Sequence, residues 1–304
     1  MVEVIGRNGT WSLHGEGVRI VPAANWKVHK LRQALGEIAI PFEAIAGIAY
    51  EPARKGGRLR LRMREGADPF IQVAAGRLAD AADPYRLFVE AGRTGVAEYF
   101  ADQLRTTLQL EGVPAGPTNR YLMPGPGIPV TGGGTEGTAE FDGESIRLAW
   151  NWGAPAAKTA AGPQRIELAE LESVDWAPSS GMGYGRLQFH VKGARLNLPI
   201  THDPYALRLT GFEKENWSTL LVAAAILARL PHPAADTAVP EAGALRLREG
   251  GRPDRDDTSA ELLRQLRELG DLYRDGILTE DEFTAAKQSL LPRLHAANRL
   301  PEDS

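Results

Sequence analysis

Residues 8–20, NGTWSLHGEGVRI, recur as residues 136–148, EGTAEFDGESIRL, and this internal repetition limits the possible folds more than any other feature of the chain. Gly9, Thr10, Gly15 and Arg19 return as Gly137, Thr138, Gly143 and Arg147, a constant displacement of 128 residues. The same displacement carries Gly57, Arg58 and Leu59 of GGRLRLRM onto Gly185, Arg186 and Leu187 of YGRLQFHV. Further along, DPYRLFV at 83–89 returns as DPYALRL at 203–209. The chain therefore reads as two copies of one module.

Within a copy the pattern is short and alternating. WSLHGEGVRIV, GEIAIPFEAIAGIAYEP and GRLRLRMRE have the period of two expected of antiparallel strands with one wet face, separated by Gly, Pro, Asp and Asn. Each copy then changes to helical period: Val96, Tyr99, Phe100, Leu104 and Leu108 in the first, and the run from Trp217 to Leu230, stopped by Pro231, in the second. Several strands closed by one helix predict an α+β chain of two tandem modules, each a bent antiparallel β-barrel plugged by its C-terminal helix, in the order of the pleckstrin-homology-like (PH-like) fold. The expected boundaries are 1–111 for the first repeat, 112–135 for a Pro/Gly-rich linker, 136–231 for the second repeat, 232–258 for a flexible linker and 259–295 for a helical hairpin.

Charge and composition narrow the function. Lys+Arg 35 against Asp+Glu 39 leaves a formal charge of −4, so no global basic excess advertises nucleic acid, and any anion site must be a local patch. No cysteine is present, which excludes disulfides, thiolate zinc, iron–sulfur ligation and a cysteine nucleophile. The opening MVEVIGRNGTW lacks the basic and apolar regions of a secretory leader. The longest apolar run, LLVAAAILARL at 220–230, is shorter than the roughly 20 residues that span a bilayer and carries Arg229, so it reads as a buried helix and a cytoplasmic location is expected. His14, His29, His190, His202, His232 and His295 are scattered without metal-ligand spacing. GAPAAKT at 153–159 has Ala157 where a phosphate loop needs Gly, and no G-x-S-x-G elbow occurs. The expectation is a protein that is not an enzyme and uses neither metal nor cofactor.

The C-terminal stretch places Leu262, Leu263, Leu266, Leu269 and Tyr273 on one helical face, breaks at Asp275-Gly276, and restarts with the capping pair Thr279 and Glu282 ahead of Phe283, Leu290 and Leu291. Asp271, Asp275, Gly276 and Glu282 mimic a calcium loop, but Tyr273 fills a position that needs an oxygen ligand. Gly276, Ile277, Leu278, Thr279, Glu282, Phe283 and Lys287 closely resemble the core of the SHOCT domain, a short C-terminal module. The repeats, through NGTWSLHGEGVRIVP, VHKLRQALGEIAIPFEAIAGIAYEPARKGGRLRLR and DPYRLFVEAGRTGVAEYFADQLR, resemble the bacterial domain-of-unknown-function family numbered 4429, which occurs as tandem copies ahead of SHOCT. The resemblance implies no established catalytic activity, and for SHOCT a role in oligomerisation or partner binding.

Two basic stretches of the first copy are the candidate anion- or partner-binding residues: Trp26, Lys27, His29, Lys30 and Arg32 in one, Lys55 in the other, where tryptophan beside cations suits stacking and cation–π contact. Arg58, Arg60, Arg62 and Arg64 leave one face of their strand; Arg58, repeated as Arg186, is expected to serve the turn, and the other three to form a solubilising or interface face. After NW the second copy departs, GAPAAKTAAG replacing KVHKLRQALG, so it is not expected to share such a site. The leading expectation is an interaction or scaffold protein whose repeats bind a partner surface and whose hairpin self-associates or docks through Leu262, Leu266, Leu269, Ile277 and Phe283. The alternative is an anionic ligand or membrane-headgroup module using the basic segment of repeat one, with no sequence-specific nucleic acid expected.

Overall fold

A computed structural model describes residues 2–114, 116–179, 183–194 and 198–235. The expected C-terminal hairpin, with Leu262, Leu266, Leu269, Ile277 and Phe283, lies outside the described residues. Both repeats fall within one compact unit. In the first, β1 (Val2–Gly6), β2 (Gly9–His14), β3 (Gly17–Pro22) and β4 (Ile38–Pro41) form an antiparallel sheet in sequence order, with α1 (Lys30–Leu35) in the β3–β4 connection. A second sheet follows from β5 (Ile45–Ala53), β6 (Gly56–Met63) and β7 (Arg86–Val89), with α2 (Pro69–Ala74) between β6 and β7, before α3 (Thr94–Leu110) closes the repeat.

The second repeat runs β8 (Val130–Gly134), β9 (Gly137–Phe141), β10 (Ser145–Trp150), α4 (Ala156–Ala161), β11 (Gln164–Glu167), β12 (Leu171–Ala177), β13 (Gly185–Val191), β14 (Ala206–Leu209) and α5 (Glu213–Leu227), in the same two-sheet arrangement. Each repeat begins one strand earlier than the sequence similarity reveals. Val130–Gly134, glycine-rich enough to read as linker, is a strand because glycine lets α5 cross close above it. A Cβ on Gly132 would lie 2.8 Å from the Thr219 Cα.

The expected closed barrel does not form: the four sheets are open. A turn of 3-10 helix at Phe42–Ala44 separates β4 from β5, and the two sheets of the first repeat meet at β1 and β7 through one backbone bond, Arg7 N–H to Phe88 O at 2.8 Å, in place of a ladder. The core lies between the sheets and the helix. Val4, Trp11, Leu59, Leu87 and Leu104 pack with Phe100, whose ring centroid is 6.4 Å from that of Trp11. On α3 the buried residues Ala97, Phe100, Ala101 and Leu104 recur at three and four, and Glu98, Asp102 and Arg105 face water.

Helix α5 is different. Every residue from Ser218 to Ile226 is buried, because one face lies on its own sheets and the other is covered by the first repeat. Leu31 of α1, Phe70, Val73 and Ala74 of α2, and Ala82 belong to the same core cluster as Leu220, Leu221 and Ile226. Arg77 Nη1 donates to Trp176 O at 2.7 Å across this seam. The displacement between copies falls from 128 at Gly57 and Gly185 to 120 at Asp83 and Asp203, so the connection that holds α2 is eight residues longer in the first repeat. The described residues of the matching connection in the second repeat form no helix.

Asp68 starts α2. Its carboxylate accepts from Phe70 N–H at 2.9 Å and from the Tyr85 hydroxyl at 2.5 Å, and Pro69 follows at the first helical position. Burial pushes its pKa up to about 6, the bonds from Tyr85 and the helix backbone opposing and Asp83 adding to the rise. Raised in the folded state, this group takes up its proton between about pH 6 and 4 while the unfolded chain does not, so stability rises as pH falls through that window, by about 3 kcal/mol for this residue. Asp68→Asn, which keeps the cap, is expected to remove that part of the slope in denaturant melts at pH 4 to 7. Phe70→Ala at the seam should cost about 3–4 kcal/mol, with both repeats of the 1–239 fragment melting in one transition.

Candidate functional site

Asn25 and Asn151 occupy the same place in the two repeats, in the loop after β3 and after β10, and each makes the same turn. Asn25 Oδ1 accepts from Lys27 N–H at 3.0 Å, and Asn151 Oδ1 accepts from Gly153 N–H at 2.8 Å. Between donor and acceptor the turn projects one residue outward, Trp26 in the first repeat and Trp152 in the second. They are 82% and 99% exposed and, with Leu110, are the three most solvent-open large apolar side chains in the described residues. Lys27 Nζ lies 5.5 Å from the Trp26 ring centroid, and Lys30 is exposed beside it, its Nζ donating to Gln33 Oε1 at 3.2 Å. A shallow cavity of about 460 Å³ is bounded by Ala23, Ala24, Asn25, Trp26, Lys30 and Gln33.

The other residues of the basic segment point elsewhere. His29 caps α1, its Nδ1 accepting from Leu31 N–H at 3.1 Å, and its Nε2 lies 3.1 Å from Glu213 Oε1 of the second repeat. Burial lowers its pKa, with Glu213 opposing and Arg32 adding to the fall. Arg32 is buried and serves the fold: Nη1 donates to Asp83 O and Arg86 O at 2.7 and 2.8 Å, and Nη2 to Pro84 O at 3.2 Å. Burial pulls its pKa down to about 10, against the pull of Asp83. Lys55 is exposed in the turn between β5 and β6. The surface part of the candidate site thus reduces to Trp26, Lys27 and Lys30, with Lys55 on another loop.

Arg32 has a counterpart that similarity of residue type conceals. Lys158 of α4 donates to Ala206 O at 2.6 Å, as Arg32 does to Arg86 O at the same point of the fold. Asn8 accepts from Phe88 N–H at 2.9 Å, and its partner by position, Glu136, accepts from Arg208 N–H at 2.9 Å. In the second repeat cation and anion also meet directly: Lys158 Nζ is hydrogen-bonded to Glu136 Oε1, both side chains fully buried, with the Trp150 ring 5.0 Å from the ammonium. Desolvation lowers the Lys158 pKa, and Glu136 resists this. A neutral acceptor with arginine in one copy and an acid with lysine in the other perform the same bracing of the final sheet strand.

The arginines of β6 and Arg64 just after it divide likewise. Arg58 is ion-paired to Glu51 at 2.5 Å and Asp80 at 2.8 Å. Arg64 donates to Gly116, Glu43 and Pro117 carbonyls at 2.8, 2.9 and 3.3 Å, fastening the segment between the repeats to the sheet. Arg60 and Arg62 are exposed.

Two segments, residues 11–105 and 139–227, match the family described as Domain of unknown function (DUF4429). The chain belongs to the DUF4429 family. Both tryptophan loops, both buried cations and the β6 arginines fall inside the matched segments of these DUF4429 repeats. Residues 264–291 match the Short C-terminal domain, SHOCT. No curated protein matches the chain. Among the described residues no helix is long and apolar enough to cross a membrane, and no group of three or more His, Asp or Glu side chains is placed to hold a metal ion.

Glu136→Gln removes the counter-charge of a buried ammonium and is expected to cost about 3–5 kcal/mol in denaturant unfolding, with the double variant Glu136→Gln/Lys158→Met recovering much of it. Lys27→Gln/Lys30→Gln, on the surface, should stay within about 0.5 kcal/mol of the parent.

Proposed function

We propose that this DUF4429 chain is a non-enzymatic interaction or scaffold protein: two PH-like modules that together bind a partner surface, and a SHOCT hairpin that mediates oligomerisation or docking, in the cytoplasm. The observation that carries the reading is the pair of tryptophans. Trp26 and Trp152 stand at one position of the repeat on the same side-chain-capped turn, both open to water, although the residues after them have diverged. Tryptophan is among the residues most enriched at the energetic centres of protein interfaces, because one rigid side chain supplies a large contact area. The PH-like reading rests on the order of a four-stranded sheet, a three-stranded sheet and a terminal helix. A hairpin of about thirty residues buries little surface alone, and its tether raises its effective concentration near a partner.

Light scattering across a concentration series tests the hairpin's role. The full chain is expected to assemble and the 1–239 fragment to remain monomeric; two monomers, or two identical assemblies, remove oligomerisation from the reading. A second reading, binding of an anionic headgroup, is favoured by Trp26 and Lys30 on the rim of a cavity of about 460 Å³, with Lys27 Nζ 5.5 Å from the Trp26 ring. It predicts salt-sensitive sedimentation with acidic vesicles that Lys27→Gln/Lys30→Gln abolishes.

A further inference from the structure

The outer face of the β5–β6–β7 sheet carries more positive charge than it neutralises. Glu51, Asp80 and Asp83 are its acids, and all are engaged. Arg58 pairs with Glu51 and Asp80, and Arg86 with Asp80 at 2.8 Å and Asp83 at 2.9 Å. Asp83 also accepts from Tyr85 N–H. Arg60 and Arg62 remain exposed, and among the described residues neither has an ion pair or a side-chain hydrogen bond. Arg60 moreover stands in register with Arg86 on one side and Ala49 on the other, while Arg62 stands opposite Gly47. Like charges directly opposite one another weaken a ladder, and the two small residues leave the guanidinium groups uncovered.

The second repeat holds the same strand without this tension. Gln188 and His190 take the places of Arg60 and Arg62, and Ala206 stands opposite Gln188. Gln188 Nε2 donates to Asp203 Oδ2 at 2.9 Å, and His190 Nε2 lies 3.1 Å from Asp175 Oδ2. One fold position is therefore self-satisfied in one copy and open in the other. Beside the open pair lies a cavity of about 290 Å³ whose far wall is Ile71, Ala74 and Leu78, supplied by α2 and the turn after it. That wall is part of the longer connection peculiar to the first repeat.

We propose that this cavity binds a small amphipathic anion, a phosphomonoester head between Arg60 and Arg62 carried on an apolar body that lies against Ile71, Ala74 and Leu78. Two adjacent guanidinium groups give the planar, multiple donors that phosphate oxygens accept. The apolar wall rewards a ligand with a hydrocarbon part over a bare ion. The site is on a different loop and sheet from Trp26, Lys27 and Lys30, and it does not depend on the scaffold reading.

Calorimetric titration of the full chain with dioctanoyl phosphatidic acid, kept below its micellar concentration, tests it. Saturable one-site binding is expected, with inorganic phosphate weaker by about tenfold and added salt weakening both. The variant Arg60→Gln/Arg62→His, which installs the second repeat's own residues, should lose about tenfold or more in affinity. Glu98→Gln, on the exposed face of α3, should bind as the parent does. If the double arginine variant does not fold, Arg62→Gln alone should still lose about threefold. Sedimentation with phosphatidylcholine vesicles containing phosphatidic acid separates the sources: co-sedimentation lost in Arg60→Gln/Arg62→His assigns the head to a lipid surface, and soluble binding without co-sedimentation assigns it to a free ligand. Unchanged affinity in the arginine variants, or no saturable binding of the soluble lipid by the parent, overturns the proposal.

Discussion

Helix α5 can exist as it does only because it is covered twice. Its own sheets take one face and α1 with α2 of the first repeat take the other, so a stretch with small and large apolar residues all round is stable where a surface helix would need a polar stripe. Fully burying a leucine or isoleucine contributes about 1.5–3 kcal/mol, and Leu220, Leu221 and Ile226 all lie within this doubly covered stretch. The seam is therefore core. It also ties neighbouring features into one frame: Asp68 caps the helix that forms the seam, and His29 caps α1 while facing Glu213 across it.

The buried cations show how two copies of one fold can diverge without losing a structural task. A final sheet strand that leaves a carbonyl and an N–H facing the interior needs a donor and an acceptor there. Asn8 and Arg32 meet this need with one charge and several carbonyls, whereas Glu136 and Lys158 meet it with a charge pair. The two solutions have different sensitivities. An arginine distributed over three carbonyls tolerates the loss of any one, while a direct ion pair fails when either member is removed.

Much of this was legible in the residues. The repeat, the alternating strands and the closing helices follow from periodicity, and LLVAAAILARL reads correctly as a buried helix. Helix α2 carried a start signal, Asp68 followed by Pro69, in a segment otherwise short and mixed enough to pass as loop. Barrel closure was not legible, because it turns on whether β1 and β7 continue one ladder, a long-range matter that alternation does not encode. Arg32 sits in KVHKLR close to Lys27 and Lys30, which do reach the surface, and its burial depends on carbonyls some fifty positions away. The two exposed tryptophans, by contrast, were readable as a shared Asn-Trp pair, but their exposure needed the fold.

The longer connection that makes α2 gives the pair of repeats a direction. A head-to-tail contact between like modules can in principle continue without limit, each unit covering the helix of the next. Here the unit able to cover a neighbour comes first, and the unit that follows is eight residues shorter in the very connection that would have to supply the cover. At the other end, α3 turns Glu98, Asp102 and Arg105 outward, although Tyr99 and Leu110 are also exposed on it. The contact is thus one-directional: the first repeat supplies the covering helix and the second the helix that is covered.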